Sequence, residues 1–198
     1  MNLRFETISA LCGLLAPLTG LVFIVSAVLI SPWFSWTGNW LSDLGRTGTA
    51  AVLFNTGIIL AGFLGVVFAF GMRKRFDTFL GTVLFFLGMV AFTGIGLFPE
   101  TTGNLHLGAA LAAFFMLSCS LIPIGLSLKK TERLMGLFII AAGFASLISA
   151  TLFILLQNAV AEMFPVVLIS AFLMSFSFRI LKGPVLDQTS YNRRHKSV

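Results

Sequence analysis

The feature that most constrains this chain is a series of six long apolar stretches, with no Asp, Glu, Lys or Arg inside except Arg179 near the end of the last. About 20 helical residues cross a hydrocarbon core of about 30 Å, and strands of a β-barrel would alternate polar and apolar residues instead. The sequence therefore predicts an all-α polytopic membrane protein, a six-transmembrane-helix bundle. The predicted spans are 8–30, 51–72, 78–98, 105–128, 134–156 and 163–181.

The composition excludes a water-soluble domain. Hydrophobic residues make up 58% of the 198 residues and charged residues only 10%, whereas soluble chains carry about 25% charged residues. The connections between the spans are short except for 31–50, so they leave no room for a soluble domain. We predict one membrane domain over residues 1–181 and a short basic tail over residues 182–198.

The basic residues predict the orientation of the bundle. Of the 13 Lys and Arg residues, all but Arg46 fall on one side when the loops are assigned alternately. Because Lys and Arg concentrate in cytoplasmic loops, both termini are predicted to be cytoplasmic in a cell membrane. The connections 31–50, 99–104 and 157–162 then face outward. The net charge of +6 is accounted for by topology and by attraction to anionic membrane lipids, so we predict no nucleic-acid partner.

Small residues recur every four positions in several spans, most clearly at Gly57, Ala61 and Gly65. Such faces let helices approach closely in lipid, so they predict packing surfaces within the bundle and would also allow a homo-oligomer. No ionisable residue lies near the middle of a span. Ion-coupled transporters and pumps usually need such groups there, so the sequence disfavours a pump.

The long connection 31–50 contains all three tryptophans. Trp33, Trp36, Trp40 and Leu44 are spaced to share one face if the segment is helical, which predicts a short helix in the headgroup region. Asn39, Asp43 and Arg46 occupy a neighbouring arc. This segment is either an aromatic anchor with a solvated Asp–Arg pair or a lid over a headgroup pocket.

A histidine lies just after the connection 99–104, at the start of the predicted fourth span. Pro99 ends the third span, Asn104 is a predicted N-cap, and His106 follows in the first turn of the helix. Together with Asp43, Glu100 and Glu162, His106 would supply the minimum for acid–base hydrolysis or a divalent metal site. No metal-ligand or nucleophile motif accompanies them, and no cofactor is required. A hydrogen-bonded network and ligand recognition without chemistry stay open.

Several short motifs carry a resemblance to a known family. They are the run from Leu41 to Gly45, Phe54-Asn55-Thr56-Gly57, and Gly96-Leu97-Phe98-Pro99 followed by His106. With the span count, they resemble the six-span family called domain of unknown function 998. They are more distantly similar to the Frag/DRAM/Sfk group, which includes a lipid-remodelling factor. The resemblance implies that these residues form one unit with Ser42, Asp43, Gly45, Asn55, Phe98, Pro99 and His106 as members.

These observations lead to a first hypothesis and two alternatives. The first is that the outward end binds a lipid headgroup or another amphipathic ligand. The second is a lipid-modifying enzyme, a hydrolase or transferase, with His106 as base or metal ligand and Asp43 orienting it. The third is a passive transporter or channel. The predicted ligand-binding residues are Trp36, Asn39, Trp40, Ser42, Arg46, Asn55, Glu100, Asn104 and Glu162.

Overall fold

A computed structural model describes residues 3–73 and 78–182, and in these ranges the chain is entirely helical apart from turns and connections. The basic tail from residue 183 onward and the turn 74–77 lie outside the described residues. The six α-helices, α1 to α6, are Leu3–Leu29, Gly48–Met72, Phe79–Leu97, Asn104–Lys129, Arg133–Leu156 and Ala159–Lys182. Two short 3-10 helices, Leu41–Gly45 and Glu100–Thr102, lie in the connections. The predicted all-α class is confirmed.

Local signals fix where the helices begin and end. The hydroxyl of Thr78 accepts a hydrogen bond from the backbone N–H of Gly81 at 3.2 Å and caps α3. The side chain of Asn158 does the same for Ala161 at 3.0 Å at the start of α6. Helix α6 therefore begins at Ala159, before the predicted residue 163. The predicted span begins after Glu162 because that residue is charged. In the structure, Glu162 lies in the first turn of the helix and its side chain is buried.

Counted over the residues that the structure describes, five of the six helices are long and apolar enough to cross a membrane, by length and composition. They are α1 to α4 and α6, and α5 contributes a shorter apolar segment, Arg133–Ser149. Large apolar side chains also point outward, such as Phe63 at 62% and Phe79 at 70% exposure. A surface this apolar needs lipid to cover it. The chain is a multi-pass membrane protein.

Each helix packs against the next, and α1 also packs against α6, which closes the bundle. Helix α5 packs between α4 and α6, and none of its described residues lines the cavity on the bundle axis. The small residues of α2 serve these contacts: Gly57 faces Phe23 of α1, and Gly65 faces Met89 of α3. The stripe predicted from sequence is therefore used for packing within the chain.

Two hydrophobic cores lie at opposite ends of the bundle. The basal core, at the end where α2 and α4 finish, contains Phe68, Phe85, Phe172 and Phe176. These rings meet edge to face or stacked, with centroids 5.8 to 6.2 Å apart. The second core, which includes Leu44 and the start of α2, lies under the other end. We call that end the rim; it is formed by residues 31–47, 98–103 and 157–158.

Two local predictions at the rim are wrong. Residues 31–40 form turns, and the only helical part of this connection is the 3-10 helix Leu41–Gly45. Pro32 lacks a backbone donor, which disfavours continuous helix there, and Asn39 accepts from the backbone N–H of Ser35 at 2.9 Å in a turn. Asn104 is the first residue of α4, not its cap. The cap is Gly103, whose φ of +62° glycine adopts without strain.

Candidate functional site

The first rim connection is joined by hydrogen bonds to the start of α6. The backbone N–H of Ala159 donates to the carbonyl of Asn39 at 2.7 Å. The backbone N–H of Leu41 donates to Oε1 of Glu162 at 3.0 Å. A buried amide needs such an acceptor. Glu162, which is distant in sequence, thus fixes the start of the first 3-10 helix over the bundle.

Asp43 stabilises the fold of this connection. Its Oδ2 accepts from the backbone N–H of Trp40 at 2.9 Å and lies 3.4 Å from Nδ2 of Asn39. Its Oδ1 pairs with Nη1 of Arg46 at 3.3 Å, and Nε of Arg46 lies 3.5 Å from Oε2 of Glu100. Arg46 therefore bridges the first and second rim connections from a side chain that is 57% exposed.

Asn55 attaches the other end of the 3-10 helix to α2. Its Nδ2 donates to the carbonyl of Gly45 at 3.0 Å. A Cβ on Gly45 would lie 2.7 Å from Oδ1 of Asn55, and one on Gly96 would lie 2.6 Å from the Asn55 carbonyl. The two glycines allow backbone to approach Asn55 from both sides. This accounts physically for three residues in the sequence motifs that carry the family resemblance.

His106 is buried, with 7% exposure, and is held by backbone. Its Nδ1 lies 2.8 Å from the carbonyl oxygen of Phe98. A carbonyl can only accept, so Nδ1 carries the hydrogen, and in the neutral ring Nε2 keeps its lone pair. Nε2 has no hydrogen-bond partner among the described residues. The group that orients His106 is therefore Phe98, and not Asp43 as the enzyme hypothesis expected.

A chamber of about 260 Å³ lies beneath the rim. Its polar wall consists of Trp40, Ser42, Glu100, Asn104, His106 and Glu162. Its floor is apolar and adjoins a second, smaller cavity of about 40 Å³ on the bundle axis. The two cavities share the lining residues Ile24, Ile58, Phe92, Phe114 and Val166. The protein thus has a polar chamber with an apolar continuation.

Burial and neighbouring charge alter the electrostatics of this wall. The pKa of Glu100 is raised above its ordinary 4.5, first because burial disfavours the charged form and second because Asp43 repels it. Arg46 opposes both effects. Among the described residues that line the chamber, none is Lys or Arg. In residues 3–73 and 78–182, which the structure describes, no group of three or more His, Cys, Asp or Glu side chains is arranged to hold a metal ion.

Comparison with protein families gives one match. The sequence model of a family described as protein of unknown function (DUF998) matches residues 14–179. This chain belongs to the DUF998 family. The match runs from the middle of α1 into the last turn of α6 and includes every residue of the chamber wall, so the predicted family is confirmed. No curated protein and no solved structure matches this DUF998 protein.

The structure brings together six of the predicted site residues in this DUF998 protein, the six that form the polar wall. Asn39, Asp43, Arg46 and Asn55 hold the connection above the chamber and do not line it. Trp36 packs against Phe34, with ring centroids 5.4 Å apart, and is 41% exposed.

The sequence analysis missed the backbone groups and the apolar floor. The carbonyl of Phe98 and the N–H of Leu41 have no side-chain signature, so no pattern could have indicated them. The α4 wall had a signal, since His106, Ala110 and Phe114 recur every four residues and all line the chamber. The site predicted from the sequence includes His106 but not Ala110 or Phe114.

Proposed function

We propose that this DUF998 protein binds a membrane amphiphile, with the head in the chamber and the apolar chain along the bundle axis. The observation that carries the proposal is the continuity of a polar wall with an apolar floor. Ligand pockets commonly combine a mostly apolar lining with a few placed polar groups. An amphiphile has the same division, and the surrounding membrane supplies such molecules.

The exposure of the lining residues supports entry from the side. The exposed members of the lining are Gly103, Asn104 and Leu107, all at the start of α4. Leu105 and Leu111, on the same helix, are 60% and 40% exposed and apolar. The mouth therefore lies beside a lipid-facing surface, where a lipid could exchange without leaving the membrane.

The length of the path through the two cavities also fits one acyl chain. His106 and Leu117 both line the two-cavity path, and at 1.5 Å per residue they are about 16 Å apart along α4. That length is about half of a hydrocarbon core of about 30 Å. An acyl chain from one leaflet would therefore reach the middle of the bundle.

Quenching of tryptophan fluorescence tests the proposal, because Trp40 alone among the three tryptophans lines the chamber. We would replace Trp33 and Trp36 by Phe and titrate a lysophospholipid with a brominated acyl chain into protein in nanodiscs. We expect saturable quenching of Trp40. In the same background, Ala110→Phe fills the chamber and should leave only weak, non-saturable quenching. Equal quenching with and without Ala110→Phe, in variants of equal thermal stability, would contradict the proposal.

The orientation belongs to the same proposal: the rim faces outward and both termini are cytoplasmic. It is supported by the concentration of the described Lys and Arg residues at the basal end, whereas the rim has Arg46 alone. With Cys12 and Cys119 replaced by Ala, single cysteines at exposed Thr47 and Thr101 should react with a membrane-impermeant maleimide in intact cells. Lys130→Cys should react only after permeabilisation. The reverse pattern would show that the rim faces the cytoplasm.

One observation favours catalysis as a second candidate: His106 has a fixed tautomer with Nε2 available as a general base in the chamber. Incubation of purified protein with a total lipid extract, followed by mass spectrometry, would then show time-dependent conversion of a lipid. His106→Ala should abolish the conversion and retain saturable quenching of Trp40. Equal lipid profiles with the wild type and with His106→Ala would remove the enzyme candidate and leave binding intact.

A further inference from the structure

We propose that the chamber selects an amphiphile with a positively charged head, such as an ammonium group. This inference rests on the proposed function and names the class of its ligand. The acidic side chains in the chamber wall are two carboxyl groups, Glu100 and Glu162, and no described Lys or Arg lines the chamber. A head that carries a phosphate or carboxylate as its outermost group would meet acidic groups and find no cation to pair with.

The partners of Glu162 support the choice of a cation. Its side chain is 7% exposed and accepts a hydrogen bond from the backbone of Leu41. It makes no ion pair with any described Lys or Arg, and Arg46, the cation of the rim, pairs with Asp43 and Glu100 instead. A carboxylate buried without a cation is poorly compensated. A bound ammonium group would supply the missing charge.

Two other groups in the wall favour the same head. The indole of Trp40 lines the chamber beside the first 3-10 helix, and aromatic faces attract ammonium groups. His106 presents the lone pair of Nε2 when neutral, which accepts a hydrogen bond from a donor such as an ammonium N–H. Glu100 adds a second carboxyl group to the wall, and its Oε2 lies 3.5 Å from Nε of Arg46.

Competition among amphiphiles of equal chain length tests the charge. Using Trp40-only protein in phosphatidylcholine nanodiscs, we would displace the brominated lysophospholipid with dodecylammonium, dodecyl maltoside or dodecyl phosphate at matched mole fractions. We expect the ammonium compound to displace the probe at a roughly 30-fold lower mole fraction than the phosphate, because close pairs of opposite charge in a buried site bind strongly. Glu162→Gln, which keeps an acceptor for Leu41, should remove most of that preference.

Glu132→Gln is the matched control, since Glu132 pairs with Arg179 at the basal end; it should retain the wild-type preference. If Glu162→Gln does not fold, Glu100→Gln serves as the second variant, with a smaller loss of preference expected. Equal displacement by all three amphiphiles, unchanged in Glu162→Gln, would overturn the charge proposal and leave the binding proposal standing. Quenching insensitive to Ala110→Phe would instead overturn the binding proposal itself.

Discussion

The two ends of the bundle use polar and apolar groups in opposite ways. At the basal end, four phenylalanines fill the space between helices, and the cavity beside Arg179 has only about 10 Å³. At the rim, a chamber of about 260 Å³ remains, and carboxyl groups, an imidazole and an indole line it. Arg179 has a carboxylate partner in Glu132, whereas Glu162 bonds to backbone. The basal end is packed tightly, whereas the rim contains a chamber and an acceptor nitrogen, Nε2 of His106, without a partner among the described residues.

Truncating one phenylalanine at each end should sharpen this comparison most. Phe85→Ala removes a fully buried ring from between Phe68 and Phe172 and should lower the free energy of unfolding by about 3 kcal/mol or more. Phe54, which is also buried, borders the existing chamber. Phe54→Ala should cost at least ~1 kcal/mol less, because fewer contacts are lost. Reversible unfolding in mixed micelles measures both, and an equal or larger cost at Phe54 would break the comparison.

Removing one carboxylate at each end gives the second test. Glu162→Ala leaves the buried N–H of Leu41 without an acceptor and should cost roughly 1–3 kcal/mol. Glu132→Ala breaks an ion pair whose two side chains are 25% and 32% exposed, and it should cost less than about 1 kcal/mol. Glu162→Gln should restore most of the stability lost in Glu162→Ala. A basal loss as large as the rim loss would contradict the assigned role of Glu162.

The smallest expected effect is the pH dependence of stability at the rim. The folded-state pKa of Glu100 is raised above its ordinary 4.5, so its contribution to stability is present below that value and is lost as the pH rises through the raised value. Glu100→Gln should therefore flatten the fall of the thermal midpoint above pH 4.5. Arg46→Gln should steepen it, because the guanidinium lowers the Glu100 pKa. Identical pH profiles of the two variants would contradict these causes.

The helices were predictable because their signal is local. A long apolar run identifies a membrane helix without knowledge of its neighbours, and the predicted and observed ends of α2 and α4 differ by at most three residues. The first rim connection was not predictable in the same way. The spacing of Trp33, Trp36 and Trp40 would suit a helix, yet bonds to distant residues, such as Asn39 to Ala159, fix turns there.

The candidate site was only half predictable. The types of residue that gather at the rim could be read from charge and aromatic placement, and six of the predicted residues do line one chamber. The hydrogen-bond partner of each of these residues could not be predicted. Asp43 was expected to orient His106, but its acceptor oxygens face the N–H of Trp40 and Arg46. Short polar side chains often bond to nearby backbone, and no sequence pattern distinguishes that use from a catalytic one.

The sequence by itself determined that this chain enters a membrane as a set of helices, because the transfer of apolar side chains is a sum over residues and needs no tertiary partner. It also determined that the candidate site residues lie in the connections and at the helix ends, because ionisable side chains are excluded from the middle of the spans. Only the tertiary structure decided that Glu162, Ser42 and His106 face a common chamber with an apolar floor. That arrangement depends on how six helices pack and on backbone hydrogen bonds between distant segments, which no local stretch of sequence encodes.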